Sequence, residues 1–285
     1  MTKLLVIPNE KTDCFDLLKQ CDGLILPIED MSIHYSHYYT VTEACQLISQ
    51  CKEMGKEVFV SLNKNIHQAE LKRLDQVLAS LPLKDITGLL FADVCLPAKQ
   101  LDVPLVFAQE HFTTNYKTIN YWKQYGVAYA YLSGELTMEE LLTIIGQAEV
   151  KTMVPVFGYL PMTTTYRTLT QNYLEYTKQQ RDGTLYYLES NDQYYPLYEQ
   201  KQGSFLLSSH VLDLYQELPI FSQAAGDYVV MNGTHFDGDF LSLVKLYANR
   251  LRDETEDQTE RVKQLIGHPT DKGFLYKETV YRVIS

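Results

Sequence analysis

The chain is poor in the residues that mark the commonest functional classes. Its five cysteines (Cys14, Cys21, Cys45, Cys51, Cys95) are odd in number, none forms a Cys-x-x-Cys pair, and none follows Cys95. That excludes a disulfide-stapled secreted scaffold and a zinc ribbon, and predicts reduced, half-buried thiols. No apolar run approaches the roughly 18 residues that cross a bilayer, since the longest, such as 4–8 and 87–91, are strand-sized. The opening MTKLLVIPNE turns polar before a signal-peptide core is complete, so a soluble cytoplasmic protein is expected. Basic residues are the minority, Lys+Arg 25 against Asp+Glu 36 for a net charge of −11. A surface of that sign repels phosphate backbones and anionic lipid, so neither nucleic acid nor membrane is expected as a partner. HExxH, GxSxG, GxxxxGK[ST] and GxGxxG are all missing, which removes the usual support for zincin, nucleophile-elbow, P-loop and dinucleotide-binding readings.

What is present is a large apolar fraction, 45%, and 22 tyrosines against one tryptophan. The apolar residues fall in short runs at 3–7, 23–26, 57–62, 88–92, 105–108, 128–132, 152–157 and 228–231, with helical patterns between them. Near-continuous apolar strands alternating with helices predict parallel βα units. Eight of them in 285 residues predict an α/β fold, a (β/α)8 TIM-type barrel forming one domain over 1–285. An open doubly wound sheet is the alternative. Thr40-Val-Thr-Glu43 and Thr137-Met-Glu-Glu140 have the capping-box form, and Gly55 and Gly126 read as helix stops. Leu71, Leu74, Leu78 and Leu81 repeat at helical spacing, as do Phe240, Leu243, Val244, Tyr247 and Leu251.

The rhythm breaks between the seventh and eighth strands, where an inserted β-rich, tyrosine-rich segment is expected over 163–206. Within it, 181–198 reads as a hairpin turning at Asp182-Gly183, and 209–218 reads as the delayed seventh helix. The tail 253–285 is expected to pack on the barrel, acidic at first and closing in a strand at 273–283.

In such a barrel the functional groups sit just past the strands. That position nominates Asn9 and Glu10, Glu29 and Asp30, Asn63, Asp93, Glu110 and His111, Glu135, Tyr159, and Asn232 with His235. His235 followed by Asp237 and Asp239 could form a carboxylate-held general base, or one of the acids could cap the next helix. Glu135 is either a cleft carboxylate or an acid favoured by a helix dipole. His34 and His37 lack a third ligand for a metal.

The runs GKEVFVSLNKNIHQAEL, ADVCLPA, TTNYKTINYWKQYGVAYAYLSGELTMEEL, VFGYLPMTTTYRTL and TDKGFLYK, in this order, resemble the landmarks of the collagenase-like peptidase family, U32. The resemblance spans about Gly55 to Tyr276. It implies a barrel-like catalytic domain, nominal proteolysis, and, in several relatives, oxygen-independent hydroxylation of RNA bases or of a quinone precursor supported by a cysteine-held iron–sulfur cluster. By the same resemblance Asn63, Asn115, Glu135, Gly158 and Met162 match the family pattern. Thr168 stands where a cluster cysteine would be expected, so no cofactor is expected here.

The residues and the resemblance together nominate Glu135, His235 and Glu110 as catalytic. Asn63, Asp93, His111, Asn115, Tyr159, Tyr166 and Asn232 are the substrate-binding candidates. The first functional reading is a peptidase or other hydrolase holding a peptide-like substrate at the barrel's C-terminal face. A non-catalytic binding or partner protein that has lost the iron–sulfur chemistry is the second, and an RNA-hydroxylation factor the third. The expected partner is a peptide or protein.

Overall fold

The computed structural model describes residues 1–109, 111–180, 183–201, 203–253 and 257–277. The first six apolar runs become β1 (Lys3–Ile7), β2 (Gly23–Pro27), β3 (Glu57–Leu62), β4 (Gly88–Phe91), β5 (Leu105–Phe107) and β6 (Val127–Tyr131). After them come β7 (Lys151–Thr165), β8 (Leu185–Ser190), β9 (Gln193–Gln200), β10 (Gly203–Asp213), β11 (Tyr228–Asn232) and β12 (Thr270–Asp271). β1 to β7 run side by side in parallel, and β11 pairs in parallel with both β7 and β1, which closes an eight-stranded barrel. The (β/α)8 barrel is therefore the fold.

Strand alternation divides the core in two. Leu5, Ile7, Ile25, Phe59, Val106, Met153 and Val230 fill the barrel interior, while Leu4, Val6, Leu24, Leu26, Val58 and Val60 point out against the helices. Each fully buried aliphatic or aromatic side chain of this kind contributes about 1.5–3 kcal/mol. Phe59, Tyr129 and Tyr228 meet with ring centroids 5.3 to 6.0 Å apart inside the barrel, so the interior is packed rather than open.

The outer layer consists of α1 (Cys14–Leu18), α2 (Val41–Glu53), α3 (Leu71–Ser80), α4 (Tyr116–Trp122), α5 (Met138–Gln147), α6 (Leu169–Thr177), α7 (Leu218–Gln223), α8 (Phe240–Arg252) and α9 (Thr259–Ile266). Both expected capping boxes form, Thr40 with Glu43 and Thr137 with Glu140. Gly55 and Gly126 take left-handed φ values of 63° and 85° at helix ends. After β4 a single 3-10 turn, Pro97–Lys99, replaces the helix.

β7 is the exception among the barrel strands. It pairs with β6 up to Met153 and with β11 up to Phe157, then continues beyond the barrel paired antiparallel with β10, from Phe157↔Asp213 out to Thr165↔Ser204. Gly158 makes the passage possible. Its φ of 117° is closed to side chains, and a Cβ there would run into the carbonyl oxygen of Asn232. Gly203, φ 124°, has the same relation to the carbonyl of Thr165 at the far end of the ladder. Between these points β8 and β9 form a hairpin, and α6 is fastened by the buried Glu199 carboxylate, which accepts from the amides of Thr170 (2.8 Å) and Gln171 and from the Ser204 hydroxyl.

Three local expectations need correction. The hairpin turns at Asn191-Asp192, both left-handed at φ 51° and 58°, as a two-residue turn requires. Gly183 precedes β8, and Arg181 and Asp182 lie outside the described residues. The span 209–218 is not a helix: its first half completes β10, and α7 starts only at Leu218. Val211, Leu214, Tyr215 and Leu218 do repeat at helical spacing, but Val211, Leu212 and Asp213 are taken by the β7 ladder. Residues 273–276 form a turn, not the start of a strand, and 278–283 lie outside the described residues. In the tail, α9 buries Val262 and Ile266 against the barrel's core.

Gly158→Ala is expected to lower unfolding stability by about 3 kcal/mol, from an inaccessible φ plus a backbone clash. Gly146→Ala, in α5 with open space at its Cβ, is expected to leave stability unchanged or raise it by up to about 1 kcal/mol. Urea denaturation of the two variants checks the contrast.

Candidate functional site

The continuation of β7 and the return of β10 and β9 place a wall over one side of the barrel mouth. A cavity of about 300 Å³ lies beneath it, bounded by the barrel residues Tyr131, Pro155, Phe157 and Asn232, by Tyr159 to Met162 of β7, and by Gln193, Tyr195 and Ser208 to His210 of the added sheet. A second cavity, about 600 Å³, adjoins it and shares Tyr159, Gln193, Ser209 and His210. Tyr187, Tyr194, Tyr198, His235 and His268 line that second space. A third, of about 30 Å³, sits at the barrel axis among Ile7, His34, Tyr35, Asn63, Tyr131, Pro161 and Asn232.

The nominated residues divide among these places. Glu135, His111, Tyr159 and Asn232 line the 300 Å³ cavity, and His235 with Tyr159 lines its neighbour. Glu110 lies outside the described residues. Three others are spent on backbone. Asn115 caps α4 by accepting from the Thr118 amide at 2.9 Å, Asp93 accepts from the amides of Ile66 (2.8 Å) and Cys95 (2.9 Å), and Asn63 clasps both the amide and the carbonyl of Ile33. Tyr166 reaches the Asn65 carbonyl at 3.3 Å and packs edge-on against His67. His235 does not pair with Asp237. Its ring stacks on Tyr198 at 3.6 Å, Asp237 accepts from or pairs with His268 at 2.8 Å, and Asp239 caps α8 through the Ser242 amide. Burial holds the His235 imidazole down to about 4, and that of His34 also to about 4, so both rings are neutral near pH 7.

Sequence reasoning missed Gln193, Tyr195, Ser208, Ser209 and His210. Ser209 Oγ lies 2.9 Å from His210 Nδ1 and donates to Gln193 Oε1 at 3.1 Å. The tyrosine density of the segment was the available signal, but its path back over the mouth depends on the long-range β7–β10 ladder. His34 and His37 diverge, the first toward Thr164 and Phe205, the second edge-on to Tyr39. Among the described residues no group of three His, Cys, Asp or Glu side chains converges as a metal site, and no helix is long and apolar enough to cross a membrane.

The cysteines do not suit a cluster at this mouth. None lines any of the three cavities. Burial pushes the thiols of Cys21, Cys51 and Cys95 up to about 12, which opposes the thiolate that iron ligation needs. Thr168, immediately before α6, brings no sulfur to the position after the Gly-Tyr-Leu-Pro-Met segment.

Comparison with known proteins gives a match to the model described as Peptidase family U32 over residues 31–284. A protein of Bacillus subtilis (strain 168) named tRNA hydroxylation protein P2 is 26% identical over 305 aligned positions, covering 98% of this chain and 99% of that one. Among solved structures, the U32 peptidase Mk0906 matches at 14% identity and a TM-score of 0.49, over 81% of this chain and 92% of that one. Orotidine 5'-monophosphate decarboxylase from Methanocaldococcus jannaschii matches at 15% identity and a TM-score of 0.48, over 89% and 100% of the two chains.

His34 and His235 together set an acid limb of stability. Below their ordinary value of 6.5 the unfolded chain takes up protons that the folded one refuses, so stability falls as pH drops from about 6.5 to about 4. His235→Asn, which tolerates the left-handed φ of 58° at this position, is expected to remove one of about two protons from that slope. Denaturation midpoints at half-unit pH intervals measure it.

Proposed function

This chain belongs to peptidase family U32, and from that membership we propose that it is an RNA-holding component of a base-hydroxylation reaction, acting with a partner that supplies the redox centre. One observation carries the reading: Tyr131, Tyr159, Tyr187, Tyr194, Tyr195 and Tyr198 line the two adjoining cavities, together with His210 and His235. Aromatic faces of this kind hold unstacked bases, at about 1–3 kcal/mol per base. The name of the Bacillus subtilis relative, which matches this chain over nearly its whole length, supports the same direction.

The charge of −11 then limits how RNA is held, rather than whether it is held. Phosphates gain little from this surface, so contact falls on bases inside the cleft, and binding is expected to weaken only shallowly with salt. The sequence expectation against nucleic acid rested on the average surface, and the cleft is not average. Because no cysteine lines these cavities, the reading gives electron transfer to another chain, which joins the partner-protein reading to the RNA reading.

A hydrolase reading keeps one specific support. Ser209 and His210 are a hydroxyl and an imidazole in hydrogen-bond contact on the cavity wall, and activation by the ring would require the Ser209 proton to turn to it from Gln193 Oε1, whereas Glu135 is exposed and its amide donates to Ser133 Oγ. On that reading Ser209, not Glu135, is the group to remove.

Fluorescence anisotropy with labelled tRNA tests the proposal. Binding is expected, and Tyr198→Ala or Tyr187→Ala is expected to weaken it about tenfold. Absence of binding, or binding indifferent to both substitutions, would refute the reading. Gelatin cleavage lost in Ser209→Ala would establish hydrolysis in its place.

A further inference from the structure

The 30 Å³ cavity at the barrel axis is bounded by a histidine held in an unusual way. His34 sits in the loop after β2 with a left-handed φ of 73°, a conformation non-glycine residues seldom keep unless their surroundings enforce it. Here they do. Asn63 clasps Ile33 on both its amide and its carbonyl, and Ser32 Oγ accepts from the Ile28 amide while donating to the Ser61 carbonyl at 2.6 Å. The ring is fixed in turn, with Nε2 against Thr164 Oγ1 on β7 and one edge on Phe205 of β10, centroids 5.4 Å apart. What this effort leaves over is Nδ1, buried and without a hydrogen-bond partner. Buried polar atoms are nearly always paired, and one that is not calls for a function or a guest.

The cavity beside the ring has room for one water or one exocyclic group. It adjoins the 300 Å³ cavity, with Tyr131, Pro161 and Asn232 bordering both. A planar ring in the larger space with its edge turned to these three residues would point toward the axial cavity that His34 borders. We propose that His34 is the residue that reads the bound base: Nδ1 hydrogen-bonds the oxo or amino group that the base extends into the axial cavity. The inference rests on the base-binding reading of the cleft and adds to it the residue that discriminates between ligands. A neutral imidazole donates from one nitrogen and accepts at the other. The Thr164 hydroxyl can serve Nε2 as donor or acceptor, so it fixes the ring while leaving Nδ1 free to answer an oxo or an amino group, and Thr164 becomes a positioning residue.

The test uses the full chain with histidine ring nitrogens labelled, titrated with each of the four ribonucleosides and followed by NMR. His34→Asn is the main variant, because asparagine tolerates the left-handed backbone. Thr164→Val is the second, releasing Nε2 while keeping the ring. The expected result has the preferred ribonucleoside shifting the His34 Nδ1 resonance. His34→Asn should weaken that ligand roughly fivefold to tenfold and level the preference between oxo-bearing and amino-bearing bases. Thr164→Val should change the preference, while Tyr198→Ala weakens all four alike. Ribonucleosides that bind without moving the resonance, or with a preference that survives in His34→Asn, would overturn this inference and leave the cleft reading standing; a water that keeps Nδ1 engaged in the bound state would do the same. Failure of all four to bind the unaltered protein would overturn both.

Discussion

Past Phe157, β7 keeps its hydrogen bonds by exchanging the barrel for β10, and the site depends on that one ladder, whose register shifts where Ser208 to His210 leave the pairing. A barrel strand that ended at the rim would leave an open, shallow mouth. By running on, β7 carries Tyr159, Pro161 and Met162 over the opening and gives β10 and β9 an edge on which to return. Gly158 is where the strand leaves the cylinder, at a point where a Cβ would meet the Asn232 carbonyl. The Glu199 carboxylate then fixes α6 onto the added sheet, so the wall of the cleft is built structure rather than a loop.

Chemistry follows from what that wall is made of. The rings that face the cleft are tyrosines and histidines, and burial keeps the His34 and His235 imidazoles neutral. Carboxylates near them are engaged elsewhere, Asp237 with His268 and Asp239 with a helix start. The cleft therefore offers flat faces and neutral imidazoles, with Glu135, Asp271 and Lys277 also bordering the 300 Å³ cavity. Such a surface suits recognition of a planar ring.

Much of this architecture was legible in the sequence because it is local. Apolar runs at 3–7 or 57–62 have no alternative to a buried strand, and Thr40 with Glu43 fixes a helix start by its own hydrogen bonds. Polar residues after strands were harder to interpret, since the types that bind substrates are also those that satisfy backbone amides. Asn115 and Asp93 turned out to do the latter, while Asn232 and Tyr159 face the cleft. The segment around His210 was the least legible part. Its apolar spacing matches a helix, and only pairing with a strand some fifty residues earlier makes it β10.

The central claim is that nucleobases enter beneath the wall formed by β7, β9 and β10. Ultraviolet crosslinking of the full chain to tRNA, followed by mass spectrometry of the crosslinked peptides, addresses it most directly. The account predicts adducts on Tyr159 and on tyrosines of β8 and β9, such as Tyr187 and Tyr198. Adducts confined to the aromatic groove of Tyr121, Trp122 and Tyr125, or no adduct at all, would contradict it.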